Sequence, residues 1–166
     1  MSCLAILVFG VDMAQGAPSD NHVSERYCSA GLAELRAGFS ARAIEDFSQG
    51  IQADPRNAEN YYWMGLVYLY QAKYAQAIPY LEQARDKQPT NFHIRRDLGF
   101  CYLKLDLMGQ ARLQLEEAVR LNRSSLSARY NLGLLYARMG LWPKAWREFH
   151  LAVTMGESAE TFLQNP

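Results

Sequence analysis

The side chains that most often carry chemistry are sparse in this sequence: three histidines, His22, His93 and His150, and three cysteines, Cys3, Cys28 and Cys101. Imidazole and thiolate ligate zinc, and an activated thiol or hydroxyl attacks acyl groups, but both tasks need partners at a fixed spacing. No histidine stands four residues from another or from a cysteine, and no CxxC pair occurs, so no metal site is expected. The phosphate cradles GxxxxGK[ST] and GxGxxG and the nucleophile elbow GxSxG are absent too. Glu116 and Glu117 are neighbours, and on a helix their side chains diverge by about 100° instead of sharing a proton. No catalytic residue, cofactor or enzymatic activity is therefore expected, and Cys28 and Cys101 read as buried, inert thiols.

With chemistry set aside, the question becomes what the chain builds. Its 166 residues balance 17 Lys+Arg against 17 Asp+Glu, which leaves no basic footprint for nucleic acid. A hydrophobic share of 49%, with six prolines and eleven glycines, is far from the composition of disordered chains. Residues 1–17 read as a leader: Cys3 to Val11 are apolar or small, and Ala14-Gln15-Gly16 offers a cleavage tripeptide. The apolar run is too short for a membrane span, which needs ~20 residues, so no integral membrane segment is expected. No Lys or Arg precedes it, so the usual charged start is missing. The expectation is an exported protein of the bacterial periplasm, with a cytoplasmic protein as the alternative.

A fixed period dominates the rest. Gly31, Gly65, Gly99 and Gly133 are 34 residues apart, as are Ala43, Ala77, Ala111 and Ala145, and Phe47, Leu81, Leu115 and Phe149. At ~7% average glycine usage, three further glycines at one spacing arise by chance on the order of 3 times in 10,000, and two other columns share the period. The units are 24–57, 58–91, 92–125 and 126–159, with a short tail at 160–166. Each holds two amphipathic stretches, such as Glu59 to Gln71 and Tyr74 to Lys87, too short to be stable alone and so obliged to bury their stripes against neighbours. Turns within units are expected at Gly38, at Ala72 to Lys73, at Asp106 and at Gly140. Pro79, about a turn inside its helix, is expected to disturb it.

The pattern Tyr61-x₂-Met64-Gly65-x₂-Tyr68, then Ala77-x₃-Leu81, Ala84 and Pro89, resembles the tetratricopeptide repeat (TPR). Leu98-Gly99-x₂-Tyr102 and Leu132-Gly133-x₂-Tyr136 repeat it, whereas the first unit departs from it with Ala30 and Glu34. The resemblance implies an all-α, right-handed α-solenoid of stacked helix-turn-helix units whose concave face, lined by the first helix of each unit, binds another protein.

Carried onto this chain, the family's partner-binding positions include Tyr62, Leu66, Leu69 and Tyr70, then Arg96, Phe100, Leu103 and Lys104, then Tyr130, Leu134 and Arg138. They imply an apolar, aromatic groove with a basic border, suited to an amphipathic helix or an extended peptide. A variant of the family grips a terminal carboxylate with Lys, Asn and Arg; Cys28, Leu32 and Trp63 stand at the matching positions, so that clamp is absent. At the other end, Trp146, Phe149 and Val153 form an apolar side of the last helix, from which self-association as a homodimer through the C-terminal repeat is expected, against folding-back of Phe162 and Leu163. The overall expectation is a non-enzymatic adaptor or scaffold. The alternatives are a cytoplasmic chaperone for secreted proteins and a subunit of an envelope assembly or secretion complex.

Overall fold

A computed structural model describes the backbone of residues 20–164 and side-chain surroundings over residues 21–156; the leader at residues 1–17 lies outside the described residues. Eight helices and no strand occur among them: α1 Asp20–Arg36, α2 Ser40–Ala53, α3 Ala58–Tyr70, α4 Tyr74–Lys87, α5 Phe92–Lys104, α6 Met108–Leu121, α7 Leu126–Arg138 and α8 Trp142–Gln164. They pair as antiparallel hairpins, α1 with α2 through α7 with α8, and the hairpins stack in order. The described residues thus form the all-α solenoid that the resemblance implied. α4 runs uninterrupted through Pro79, which sits on an exposed face. α8 is one continuous helix to Gln164, so the backbone of Phe162 and Leu163 continues the helix instead of folding back on it, which was the alternative to self-association.

Two periodic devices make each hairpin. Its turn is a Schellman motif: Phe39 N–H donates to Glu34 O, Lys73 to Tyr68, Leu107 to Tyr102 and Leu141 to Tyr136, each around a left-handed residue at φ 86°, 58°, 58° and 72°. Those residues are Gly38, Ala72, Asp106 and Gly140. The hairpin is then closed by the glycine column, since a Cβ on Gly65 or Gly99 would stand 2.7 Å from Cγ of Leu81 or Leu115, and one on Gly31 or Gly133 2.6 Å from the ring of Phe47 or Phe149. Only hydrogen fits there, which explains glycine inside a helix despite a propensity cost of about 1 kcal/mol.

The turn also yields a prediction. Ala72 holds a left-handed conformation that costs an L-residue roughly 1–2 kcal/mol, of which glycine's greater unfolded-state entropy returns about half. Ala72→Gly is expected to raise stability by about 0.5–1 kcal/mol in urea denaturation; an unchanged or lower midpoint would contradict this account.

Side chains at recurrent positions join hairpin to hairpin. Tyr102 Oη donates to Glu82 Oε1 at 2.5 Å and Tyr136 Oη to Glu116 Oε1 at 2.9 Å, tying a first helix to the second helix of the preceding unit. Arg95 and Arg129 each donate to a carbonyl of the preceding loop, of Pro89 and of Arg123, and to a second helix of their own unit, at Gln114 and Glu148. Asn57, Asn91 and Ser125 cap α3, α5 and α7 by accepting from Glu59, His93 and Ala128 N–H.

The curvature follows from which helices meet. α1 touches α3, α3 touches α5 and α5 touches α7, while no second helix touches the next second helix among the described residues. The closer-set first helices therefore lie on the inside of the curve, and the concave face is theirs.

Candidate functional site

The concave face is built from α3, α5 and α7, and its hydrogen bonds run across the units. Tyr62 Oη donates to Asp97 Oδ2 at 2.9 Å, Arg96 Nε donates to Asp97 Oδ1 at 2.8 Å, and Arg96 reaches Ser127 Oγ at 3.3 Å. One buried carboxylate thus links three successive first helices. Burial, the Asp97 charge and its hydrogen bond all push the Tyr62 phenol far above its ordinary range, so Tyr62 stays a neutral donor. Burial works against the Arg96 charge, but the Asp97 hydrogen bond and attraction outweigh it and hold the guanidinium protonated. Asp97 has no equivalent in the other units, where Trp63 and Asn131 stand, which is why periodicity did not single it out.

A concavity of about 250 Å³ lies beyond this ladder, lined by Phe100, Leu103, Lys104, Leu134 and Arg138. Its floor is apolar. Lys104 Nζ stands 5.1 Å from the Phe100 ring centroid, a cation over an aromatic face, and Arg138 donates to the Leu103 carbonyl and to Asp106 Oδ1 at 2.9 and 2.8 Å. Arg138 is a second donor to the Leu103 carbonyl, which also accepts from Asp106 N–H at 3.3 Å, while its side chain remains 48% exposed. The cleft therefore offers an apolar surface with two cations on its edge.

Five of the eleven residues singled out in the sequence meet in this cleft. The other six divide. Leu66 is buried, at 7% exposure, and does not line this cleft; Leu69 is half-buried against the main core. Tyr62 and Arg96 are partly buried and joined to Asp97. Tyr70 and Tyr130 are open, at 81% and 54% exposure, and Tyr130 tilts against the Phe149 ring at 5.7 Å.

Two absences hold among the described residues. No cluster of three or more His, Cys, Asp or Glu side chains is placed to hold a metal ion, and no helix is long and apolar enough to cross a membrane. Cys28 and Cys101 are buried, and burial is the main cause that lifts their thiols to about 11 and about 12, with Glu59 and Asp97 adding to it. Thiols so high are protonated and unreactive at neutral pH.

Comparison with known proteins agrees with this geometry. Residues 28–69 and residues 68–125 match profiles of the tetratricopeptide repeat. No curated protein matches the chain. A crystal structure of MamA protein is similar at TM-score 0.78 and 25% identity, covering 82% of this chain and 74% of that one. Another MamA crystal structure gives 0.77 at 22% identity over 83% and 81%, and MamA 41-end from Desulfovibrio magneticus RS-1 gives 0.75 at 22% over 81% and 76%. Period, turn motif, glycine column and profile matches converge on one assignment: the chain belongs to the tetratricopeptide repeat family.

Proposed function

We propose that this protein is a non-enzymatic adaptor that holds a segment of a partner protein in the concave cleft between α5 and α7. The repeat fold supports a protein-interaction scaffold in general, and the observation that carries the narrower reading is the juxtaposition of Phe100, Leu103 and Leu134 with Lys104 and Arg138 around one concavity. An apolar floor selects an apolar side chain, and two cations on the edge favour an acidic residue beside it. The fitting ligand is a helix or extended peptide with a Leu- or Phe-type anchor next to Asp or Glu. Exposed cations contribute more to encounter rate and specificity than to affinity, so the anchor in the apolar floor supplies most of the binding free energy.

The test is in-cell cross-linking followed by mass spectrometry on the parent chain and on two variants. Phe100→Asp places a charge on the floor and is expected to reduce recovery of the cross-linked partner at least tenfold. Lys104→Glu is expected to reduce it less. Partner recovery unchanged in both variants would refute the cleft as the site.

We also infer that residues 1–17 direct export, on the apolar run and the small residues after it. N-terminal sequencing of the protein recovered from cells would give a start near Ala17 if this holds, and an intact Met1 would overturn it.

A further inference from the structure

The two ends of the array are chemically unlike. At internal junctions the incoming first helix presents large side chains to the unit before it: Met64, Leu98 and Leu132 in one column, Val67, Cys101 and Leu135 in a second, Tyr68, Tyr102 and Tyr136 in a third. α1 carries Ala30, Ala33 and Glu34 at those three positions, small or charged residues with no unit packed on that side among the described residues. Ala30 and Ala33 are exposed and Glu34 is partly buried among the described residues.

The α8 end is the reverse. Tyr74, Ile78 and Met108, on second helices that have a unit stacked beyond them, are partly buried against the core, and Tyr74 meets the Phe100 ring of that next unit at 6.0 Å. The same columns in α8 hold Trp142 and Trp146, which are 67% and 74% exposed, and Val153, where Val119 is partly buried, is 57% exposed. At 3.6 residues per turn these three lie within a narrow arc of α8, with Tyr130 of α7 beside it. α8 is also the longest helix, 23 residues where α2, α4 and α6 have 14 each, so that about 14 Å of it runs beyond the length used in the other hairpins. Among the described residues nothing stands within 4 Å of where a Cβ on Gly156 would be, unlike the glycines of the repeat column.

We propose that this face pairs with the same face of a second copy, α8 against α8 in antiparallel sense about a two-fold axis near Val153. The inference rests on the scaffold reading but uses a surface separate from the concave cleft. A head-to-tail chain is disfavoured because the α1 end lacks the large apolar side chains that an internal junction uses. Val153 is the midpoint of α8, so antiparallel overlap about it brings Trp142 and Trp146 of each copy onto the other α8. The exposed parts of Trp142 and Trp146 amount to about 300 Å² per copy, so two copies supply roughly half of the ~1,200 Å² that a stable interface buries.

Sedimentation equilibrium of the 166-residue chain is expected to show a monomer–dimer equilibrium that stops at dimer. Trp146→Glu, at a position too exposed to affect folding, is expected to weaken dimerisation at least tenfold with an unchanged circular dichroism spectrum and melting midpoint. In a Cys3→Ser background, where Cys28 and Cys101 are buried, Val153→Cys is expected to oxidise to a covalent dimer, and Leu113→Cys, an exposed site on α6, is not. A monomer at all concentrations, growth beyond dimer, or no self-disulfide at Val153→Cys would each overturn the two-fold pairing. Phe100→Asp is expected to leave the dimer intact, which separates failure here from failure of the cleft.

Discussion

Leu115→Ala is expected to lower the unfolding free energy by about 2.5–5 kcal/mol, read as a fall in urea midpoint at constant slope. Leu115 is fully buried, and its Cγ lies 2.7 Å from where a Cβ on Gly99 would be, so the two residues form the contact that closes the α5–α6 hairpin. Deleting three carbons there removes transfer free energy and leaves a cavity that a hairpin this tight collapses only partly. The reciprocal change puts two effects in opposition. Gly99→Ala gains about 1 kcal/mol of helix propensity but forces Leu115 aside, and overpacking of this kind costs about 1–3 kcal/mol, so a net loss of up to about 2 kcal/mol is expected. Because the alanine methyl enters the space Leu115 vacates, Gly99→Ala with Leu115→Ala together should cost less than the sum of the two. Strict additivity would show that they do not share the contact.

The second large effect belongs to Glu148. Arg129 Nη1 donates to Glu148 Oε2 at 2.7 Å, and the two side chains are only 9% and 14% exposed. Glu148→Ala strands a guanidinium that water barely reaches, and breaking an enclosed pair costs about 3–5 kcal/mol. Here Arg129 keeps its bond to the Arg123 carbonyl, so about 2–3 kcal/mol is expected, with little dependence on salt. Arg120–Glu117 is the control. It is shorter, at 2.6 Å, yet Arg120 is 66% exposed, so Glu117→Ala is expected to cost under about 1 kcal/mol and less still in high salt. Equal costs for the two pairs, measured by urea denaturation at low and high salt, would show that burial is not what distinguishes them.

The glycine at one column and the bulky residue 16 positions later could be counted from the sequence, because a repeat forces each unit to meet its neighbours in the same way. Hairpin pairing and the turns at Gly38, Ala72, Asp106 and Gly140 follow from that periodic constraint, while the identity of the inner helices came from the resemblance to the repeat family. What breaks the period was invisible to it. Asp97 links Tyr62 and Arg96 only because one unit carries a carboxylate where its neighbours have Trp63 and Asn131. Leu66 looked like a groove residue by its repeat position, but whether a side chain on the edge of the inner face is covered depends on the rotation of one hairpin against the next.

The sequence by itself determined the architecture, since burying the apolar stripes of short helices allows one economical solution when they recur at a fixed spacing. The tertiary structure decided which members of each column are surface. Phe100, Lys104 and Arg138 surround a cleft while Leu66 is covered, and Trp142 and Trp146 stand in solvent where Tyr74, Met108 and Ile78 are packed, because exposure depends on what stacks beyond a helix and not on the residue's place within its own unit.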